Sequence, residues 1–119
     1  MTTRAALRGE IWFTQLPTEP PEKGRRLVVV VSEDVRNQRP KADSVLVVPL
    51  TTTIHKQWDT HMLLSPGETG LQEPSVARAE NITVIHKRTL IEPRSGLRRL
   101  SDRRICELAR MIAIAMDCA

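Results

Sequence analysis

The chain has 119 residues, of which 40% are hydrophobic and 3% aromatic, and its formal net charge is +4. This length suits a single domain over residues 1–119, and the apolar fraction supports one aliphatic core, which excludes wholesale disorder. No apolar run approaches the roughly 20 residues that span a bilayer, and the first residues lack the apolar stretch of a secretory signal. We therefore expect a soluble, cytoplasmic protein.

The first half of the chain predicts three strands. Residues 10–16 predict a first strand, with Ile11, Phe13 and Gln15 on one face and Trp12, Thr14 and Leu16 on the other. The prolines that follow exclude a regular ladder before Gly24. Residues 26–32 and 44–50 are continuous β-branched runs, which are typical of strands buried on both faces. Pro49 has no backbone donor, so we expect the third strand to bulge or reach an edge there.

The second half predicts shorter strands and then a helix. Residues 61–64 are a short strand, 66–70 a turn, and 75–82 and 96–100 weaker strand candidates. After Ser101, a suitable N-cap, Ile105, Leu108 and Ile112 recur at three- and four-residue spacing, which predicts an amphipathic helix. Short strands followed by one terminal helix predict a mainly β protein, a small, partly open barrel with the helix packed on it.

The positive charge is concentrated in one segment. Residues 87–104 carry a net charge of +5, which leaves −1 for the rest of the chain. Such a segment can bind a polyanion or an acidic partner, and it can equally be a solvated surface. Cys106 and Cys118 fall in one predicted helix, too far apart to pair with each other, and no cysteine or histidine spacing predicts a metal site. We expect neither a metal nor a cofactor.

Several motifs follow one another in an order that identifies a family. They are RGEIW at residues 8–12, GRR at 24–26, VVPLTT at 47–52, AENI at 79–82 and LRRLS at 97–101. In this order and spacing, over nearly the whole chain, they resemble the MazF/PemK family of toxin endoribonucleases. The resemblance implies an SH3-like barrel of the CcdB/MazF type that dimerises and cleaves single-stranded RNA at a short sequence. It also implies a cognate antitoxin with an acidic, disordered segment that blocks the active site, which the net positive charge favours.

By this resemblance, Arg26 and Thr51 are the catalytic residues. A guanidinium presents several donors in a fixed fork, and it can stabilise the charge that develops on phosphate oxygens when the 2′-OH attacks the phosphodiester. Glu22 stands for the family's loop carboxylate, a proton acceptor from the 2′-OH, or is a solvated loop residue. Leu27 occupies the place where the family usually has proline, which leaves the backbone after Arg26 freer.

Five further residues are candidates for RNA binding, namely Arg25, Thr52, His61, Glu80 and Asn81. Arg25 adjoins the catalytic arginine and can contact phosphate, while His61, Glu80 and Asn81 match family positions that face nucleotide. Trp58 lies in a loop bordering the expected site, where it either stacks on a base or is buried under the loop.

Three other functions remain open from the residues alone. The first is a general acid/base nuclease that pairs His61 with His86. The second is a non-enzymatic poison of DNA gyrase, as in the CcdB toxins of the same fold, although the Arg26 and Thr51 pair favours the nuclease. The third is a nucleic-acid-binding module without catalysis that uses residues 87–104.

The C-terminal helix also predicts self-association. Met111 and Ala115 project away from the stripe that faces the barrel, so they would stay wet in a monomer. A homodimer covers such a surface, and the alternative is that Met111 tucks under a loop.

Overall fold

Six antiparallel strands and one long helix form the fold in this computed structural model, which describes residues 4–54, 58–94 and 96–117. The strands are β1 (Ile11–Thr14), β2 (Arg26–Val30), β3 (Ser44–Thr51), β4 (His61–Leu64), β5 (Ser75–Arg78) and β6 (Thr83–His86). The helices are α1 (Asp34–Gln38), α2 (Pro66–Thr69) and α3 (Asp102–Ala115), with 3₁₀ turns at Pro21–Lys23, Ala79–Asn81 and Lys87–Thr89. Within the described ranges, no helix is long and apolar enough to cross a membrane.

The sheet is organised around β3. One edge of β3 pairs with β2, so that Val28 lies opposite Pro49. Its other edge pairs with β6 as far as Val47 and with β5 from Leu50 onward. Pro49, which has no N–H to donate, thus lies where β3 passes from one partner to the next. The strand order β1-β2-β3-β5-β4, with β6 beside β3, leaves the sheet open, and the predicted mainly β, partly open architecture is confirmed.

Two apolar clusters pack on the two faces of the sheet, because successive residues of a strand point to opposite sides. The first cluster contains Val29, Val48 and Leu50, and α3 covers it with Ile105 and Leu108. The second cluster lies on the other face and is built from Ala6, Trp12, Leu16, Val28, Val30, Val45, Val47, Ile85 and Leu90. The aliphatic core therefore holds β3 from both sides.

Helix α3 begins at the predicted N-cap, where the Ser101 hydroxyl accepts a hydrogen bond from the Arg104 amide at 3.3 Å. Met111 packs against the first apolar cluster together with Ile112. The expectation that Met111 stays wet in a monomer was therefore wrong, whereas Ala115 is exposed.

Three local predictions differ from the structure, and one short helix was not predicted. Residues 66–70 form the short helix α2 followed by Gly70, and the strand expected over 75–82 is divided by a 3₁₀ turn at Ala79–Asn81, after which β6 begins. Helix α1 was not predicted, since five residues are too few to show a helical period. Residues 96–100 are not a strand, because the Arg98 and Leu100 amides donate to the Thr69 and Gly9 carbonyls and tie two loops together.

Candidate active site

A cavity of about 440 Å³ opens where β2 begins and β3 ends. Antiparallel pairing brings these two strand ends together, and with them Arg26 and Thr51, which both line the cavity. We call it the Arg26 cavity; its lining consists of Leu16, Thr18, Glu19, Arg26, Pro49, Leu50, Thr51, Arg78, Glu80, Asn81, Ile82 and Thr83.

The carboxylate beside Arg26 in this cavity belongs to Glu19. Its Oε1 lies 3.8 Å from Nε of Arg26, and the two side chains are 21% and 31% exposed. Among the described residues, this buried Oε1 has no hydrogen-bond partner. Glu22, in contrast, is exposed in the Pro21–Lys23 turn and does not line the cavity.

A second guanidinium, that of Arg78, reaches the same cavity from the end of β5. Its Nε is buried and, within the described part of the chain, lacks a hydrogen-bond partner. Sequence reasoning missed both Arg78 and Glu19. The signal for Arg78 in the sequence is a charged residue between two small apolar residues, Ala77 and Ala79, both of which are buried in the structure. Glu19 lies in a proline-rich segment without hydrophobic periodicity, so no sequence signal identifies it.

Glu80 lines the Arg26 cavity, and two residues outside the cavity lining hydrogen-bond its carboxylate. Nε2 of His61 lies 2.9 Å from one oxygen, and the Thr60 hydroxyl donates to the other at 3.1 Å. Burial opposes ionisation of Glu80, but these hydrogen bonds outweigh it and hold its pKa below the usual range. The His61 side chain is only 9% exposed and is not part of the cavity lining, so its contact is with Glu80. Asn81 does line the cavity.

The remaining candidates lie outside the Arg26 cavity. Arg25 is exposed and lines a neighbouring cavity with Phe13 and Leu27, and Thr52 is exposed just after β3. Trp58 is 66% exposed, so it is not buried under its loop.

The paired-histidine nuclease is not supported by the geometry. His61 pairs with Arg78 near the end of β3, whereas His86 pairs with Ser44 at its beginning. No group of three or more metal-binding side chains gathers among the residues that the structure describes.

Three arginines of residues 87–104, namely Arg98, Arg99 and Arg104, bind backbone carbonyls or carboxylates within the fold. Arg98 donates to the Gly67 carbonyl at 2.8 Å, and Nε of Arg99 donates to the Arg8 carbonyl at 2.7 Å. Arg104 binds Glu68 on α2 at 2.8 Å. These guanidiniums hold loops in place, which weakens the case for this segment as a free nucleic-acid surface.

The chain is similar to proteins of one known family over nearly its whole length. Residues 7–116 match the family described as PemK-like, MazF-like toxin of type II toxin–antitoxin system. The chain is 35% identical to the endoribonuclease MazF9 of Mycobacterium tuberculosis over 115 residues, covering 92% of this chain and 95% of the relative.

Solved structures agree with this match. The M. tuberculosis toxin MazF-mt6 superposes with a TM-score of 0.71 at 27% identity, over 92% of this chain and 98% of that one. A mycobacterial endoribonuclease in complex with its cognate antitoxin shares the fold, with a TM-score of 0.73 at 22% identity over 97% and 98% of the two chains. The family match over nearly the full length, the curated relative and the fold together establish that this chain belongs to the PemK-like, MazF-like toxins of type II toxin–antitoxin systems.

Proposed function

We propose that this toxin is a metal-independent endoribonuclease that cleaves single-stranded RNA at a short sequence. The observation that supports it best is the meeting of Arg26 and Thr51 in one open cavity, with a carboxylate 3.8 Å from the guanidinium. The relation to the endoribonuclease MazF9 supports the same activity. Family membership favours this function over a CcdB-like poison of DNA gyrase.

The side chains suit attack of a 2′-OH on the adjacent phosphorus. In this step the 2′-oxygen bonds to phosphorus, the bond to the 5′-oxygen of the next nucleotide breaks, and that oxygen takes up a proton from water. Arg26 and Arg78 donate to the non-bridging oxygens, where negative charge grows, and Thr51 adds a neutral hydrogen bond. Glu19, rather than the exposed Glu22, accepts the proton of the 2′-OH because its carboxylate faces the cavity.

The rim of the cavity supplies contacts to the bases. Glu80 and Asn81 offer acceptors and donors to base edges, with His61 keeping the Glu80 carboxylate in place. Arg25 and Thr52, at the adjoining ends of β2 and β3, contact the flanking backbone of the RNA.

Two protein partners complete the proposal. We propose a cognate antitoxin with an acidic, disordered segment that covers Arg26 and Thr51, and a homodimer as the active form. A toxin that cuts messenger RNA acts in the cytoplasm, which is where we place this one.

Cleavage of a long single-stranded RNA in the presence of EDTA tests the activity. The wild type should produce discrete fragments, and Arg26→Ala should cut about 10²-fold more slowly, as is typical when one donor to a developing oxyanion is lost. Arg103→Ala, which removes a guanidinium whose side chain is 86% exposed on α3, serves as the matched control and should cut at the wild-type rate. Intact RNA after incubation with the wild type would refute the proposed activity.

A further inference from the structure

The carboxylate of Glu80 is held in one orientation at the rim of the Arg26 cavity. Its two oxygens meet two different partners, since Nε2 of His61 lies 2.9 Å from Oε2 and the Thr60 hydroxyl donates to Oε1 at 3.1 Å. Thr60 and His61 are consecutive residues where β4 begins, and neither lines the cavity, whereas Glu80 does. The side chain of Glu80 is 37% exposed, so a ligand in the cavity can reach it.

Glu80 offers acceptors and no donor to such a ligand. The hydrogen bonds that lower its pKa keep the carboxyl ionised at neutral pH, and an ionised carboxylate only accepts hydrogen bonds. His61 must therefore carry a proton on Nε2, which it donates to Glu80. A carboxylate has about four lone-pair positions on its two oxygens, so the contacts from His61 and Thr60 leave it able to accept further hydrogen bonds.

No arginine of the cavity uses this remaining capacity within the described residues. Arg26 lies beside Glu19 instead, and Arg78, the other guanidinium of the cavity, makes no ion pair with Glu80. A negative charge at this place repels the phosphates of RNA. The cavity therefore favours an RNA group that donates hydrogen bonds to Glu80 and so compensates the repulsion.

The bases of RNA differ in the donors on their Watson–Crick edges. Guanine presents N1–H and N2–H side by side, and these two parallel donors match the two oxygens of one carboxylate. Adenine and cytosine each present one amino group beside a ring-nitrogen acceptor, and uracil presents one N–H between two carbonyls. Because the second carboxylate oxygen repels an acceptor beside the donor, guanine alone makes two hydrogen bonds to Glu80.

We propose that Glu80 selects a guanine next to the cleaved bond and that His61 is the positioning residue for its carboxylate. The proposal rests on the endoribonuclease function above, since Glu80 and Arg26 line one cavity and a base at Glu80 is close to a phosphate at Arg26. Asn81, the next residue of the same lining, has a side-chain amide that can donate to the O6 of that guanine. A bidentate contact of this kind discriminates against another base by about 5- to 150-fold.

Binding of 2′-O-methyl RNA tests the choice of base without cleavage. We would measure fluorescence anisotropy with short oligouridine strands that carry one central guanosine, inosine, adenosine or cytidine. The methylated strands have no 2′-OH, so a preference among them belongs to the base. We expect the wild type to bind the guanosine strand about tenfold more tightly than the adenosine, cytidine or all-uridine strand, with inosine, which lacks the N2 amino group, in between.

Glu80→Gln replaces one acceptor with a donor, which complements N6–H and N1 of adenine. We expect the guanosine preference to disappear in this variant and the adenosine strand to bind at least as tightly as the guanosine strand. Glu73→Gln makes the same change at an exposed position outside the cavity lining and should keep the wild-type preference.

His61→Ala and Thr60→Val each remove one donor that orients the Glu80 carboxylate. Both should lower the guanosine preference to about threefold without weakening the all-uridine strand, which a loss of structure would weaken as well. Thr60→Val carries this part of the test if His61→Ala fails to fold. A full preference in both variants would exclude the positioning role.

Equal affinity of the wild type for all strands would overturn the selection of guanine, and so would a preference that survives in Glu80→Gln. Cleavage of a long RNA keeps the proposed function separate. If the wild type cuts RNA at sites that share no guanine beside the cut, only the role of Glu80 is refuted. If it cuts none, the endoribonuclease function is refuted, and the binding comparison still decides the base. An equal loss of cleavage at all sites in Glu80→Gln, with an unchanged binding preference, would make Glu80 a proton acceptor instead.

Discussion

At the scale of single residues, two glutamates compete for the role of proton acceptor. Glu19 lines the Arg26 cavity beside the guanidinium, while Glu22 is exposed on the neighbouring turn. We expect Glu19→Gln to slow cleavage by 10²-fold or more, within the range of about 10²–10⁴ for loss of a general base, because an amide cannot accept the 2′-OH proton. Single-turnover cleavage of one RNA measures the effect.

Glu22→Gln is the control for this experiment, since it makes the same chemical change a few residues away on an exposed turn. It should cleave at the wild-type rate. If Glu22→Gln were the slow variant and Glu19→Gln the normal one, the carboxylate predicted from the sequence would be the correct one.

Glu10 links the N-terminal segment to β1 and makes stability depend on pH. Burial opposes its ionisation, but hydrogen bonds from Arg4, the Leu7 amide and the Trp12 indole outweigh burial and lower its pKa below the usual 4.5. A carboxylate with a lowered pKa in the folded state stabilises the protein above its unfolded pKa, and this contribution is lost as the pH falls through the folded value.

We therefore expect the free energy of unfolding to fall as the pH is lowered from about 5 to 3, more steeply in the wild type than in Glu10→Gln. Urea denaturation at pH 7, 5, 4 and 3 measures both proteins. Glu10→Gln should be the less stable at pH 7 and should approach the wild type at pH 3. A difference that stays constant over this range would contradict the assignment.

At the scale of elements, Arg104 connects α3 to α2 and to the edge of β4. Its guanidinium binds Glu68 at 2.8 Å, Glu107 at 2.8 Å and the Leu63 carbonyl at 2.8 Å. The Ser65 amide donates to Glu68 and, together with Arg104, lowers the pKa of this carboxyl. One side chain thus fixes the start of the helix against two neighbours.

We expect Arg104→Gln to lower the free energy of unfolding by about 1–2 kcal/mol, because it breaks a partly buried network with three partners. Arg103→Gln, one position earlier and 86% exposed, should change it by less than about 0.5 kcal/mol. Chemical denaturation of the two variants gives both numbers, and equal stability would show that the network contributes nothing measurable.

The same elements show what the sequence predicts and where it stops. The continuous β-branched runs of β2 and β3 and the helical period of α3 identify these elements, and the family motifs place Arg26 and Thr51 at strand ends that do meet. Helix α1 is too short to show a helical period. Glu19 reaches the cavity from a proline-rich loop and Arg78 from the end of β5, and only tertiary contacts determine the directions of these two segments. Arg104 stands where a capping box has glutamate, and its partner proves to be a carboxylate on another helix.

At the scale of the whole molecule, several large apolar side chains remain exposed. Leu46 and Val84 lie opposite each other on β3 and β6 with 36% and 56% of their surface exposed, and Ile114 on α3 is 52% exposed. Because a second subunit is the common way to cover such side chains, we expect a homodimer.

Sedimentation equilibrium at micromolar concentration should give about twice the monomer mass of 13.4 kDa. Ile114→Asp places a charge on the exposed side of α3 and should shift the mass toward the monomer, while Val35→Asp, a change at a 62% exposed position of α1, should leave the dimer intact. A mass of one chain at all concentrations would exclude self-association.

The position of β3 between ladders on both edges also governs how the domain opens. The middle of the strand cannot separate from its neighbours without breaking the pairing with β2 and the pairing with β6 or β5 at once. The amides at this centre should therefore exchange with deuterium only through global unfolding, whereas the short α1 and α2 exchange through local fluctuations. Thr51 and Pro49 belong to this strand, so we expect the wall of the Arg26 cavity that β3 forms to persist until the fold itself is lost. An inhibitor of this protein consequently gains more by covering the cavity than by loosening its walls.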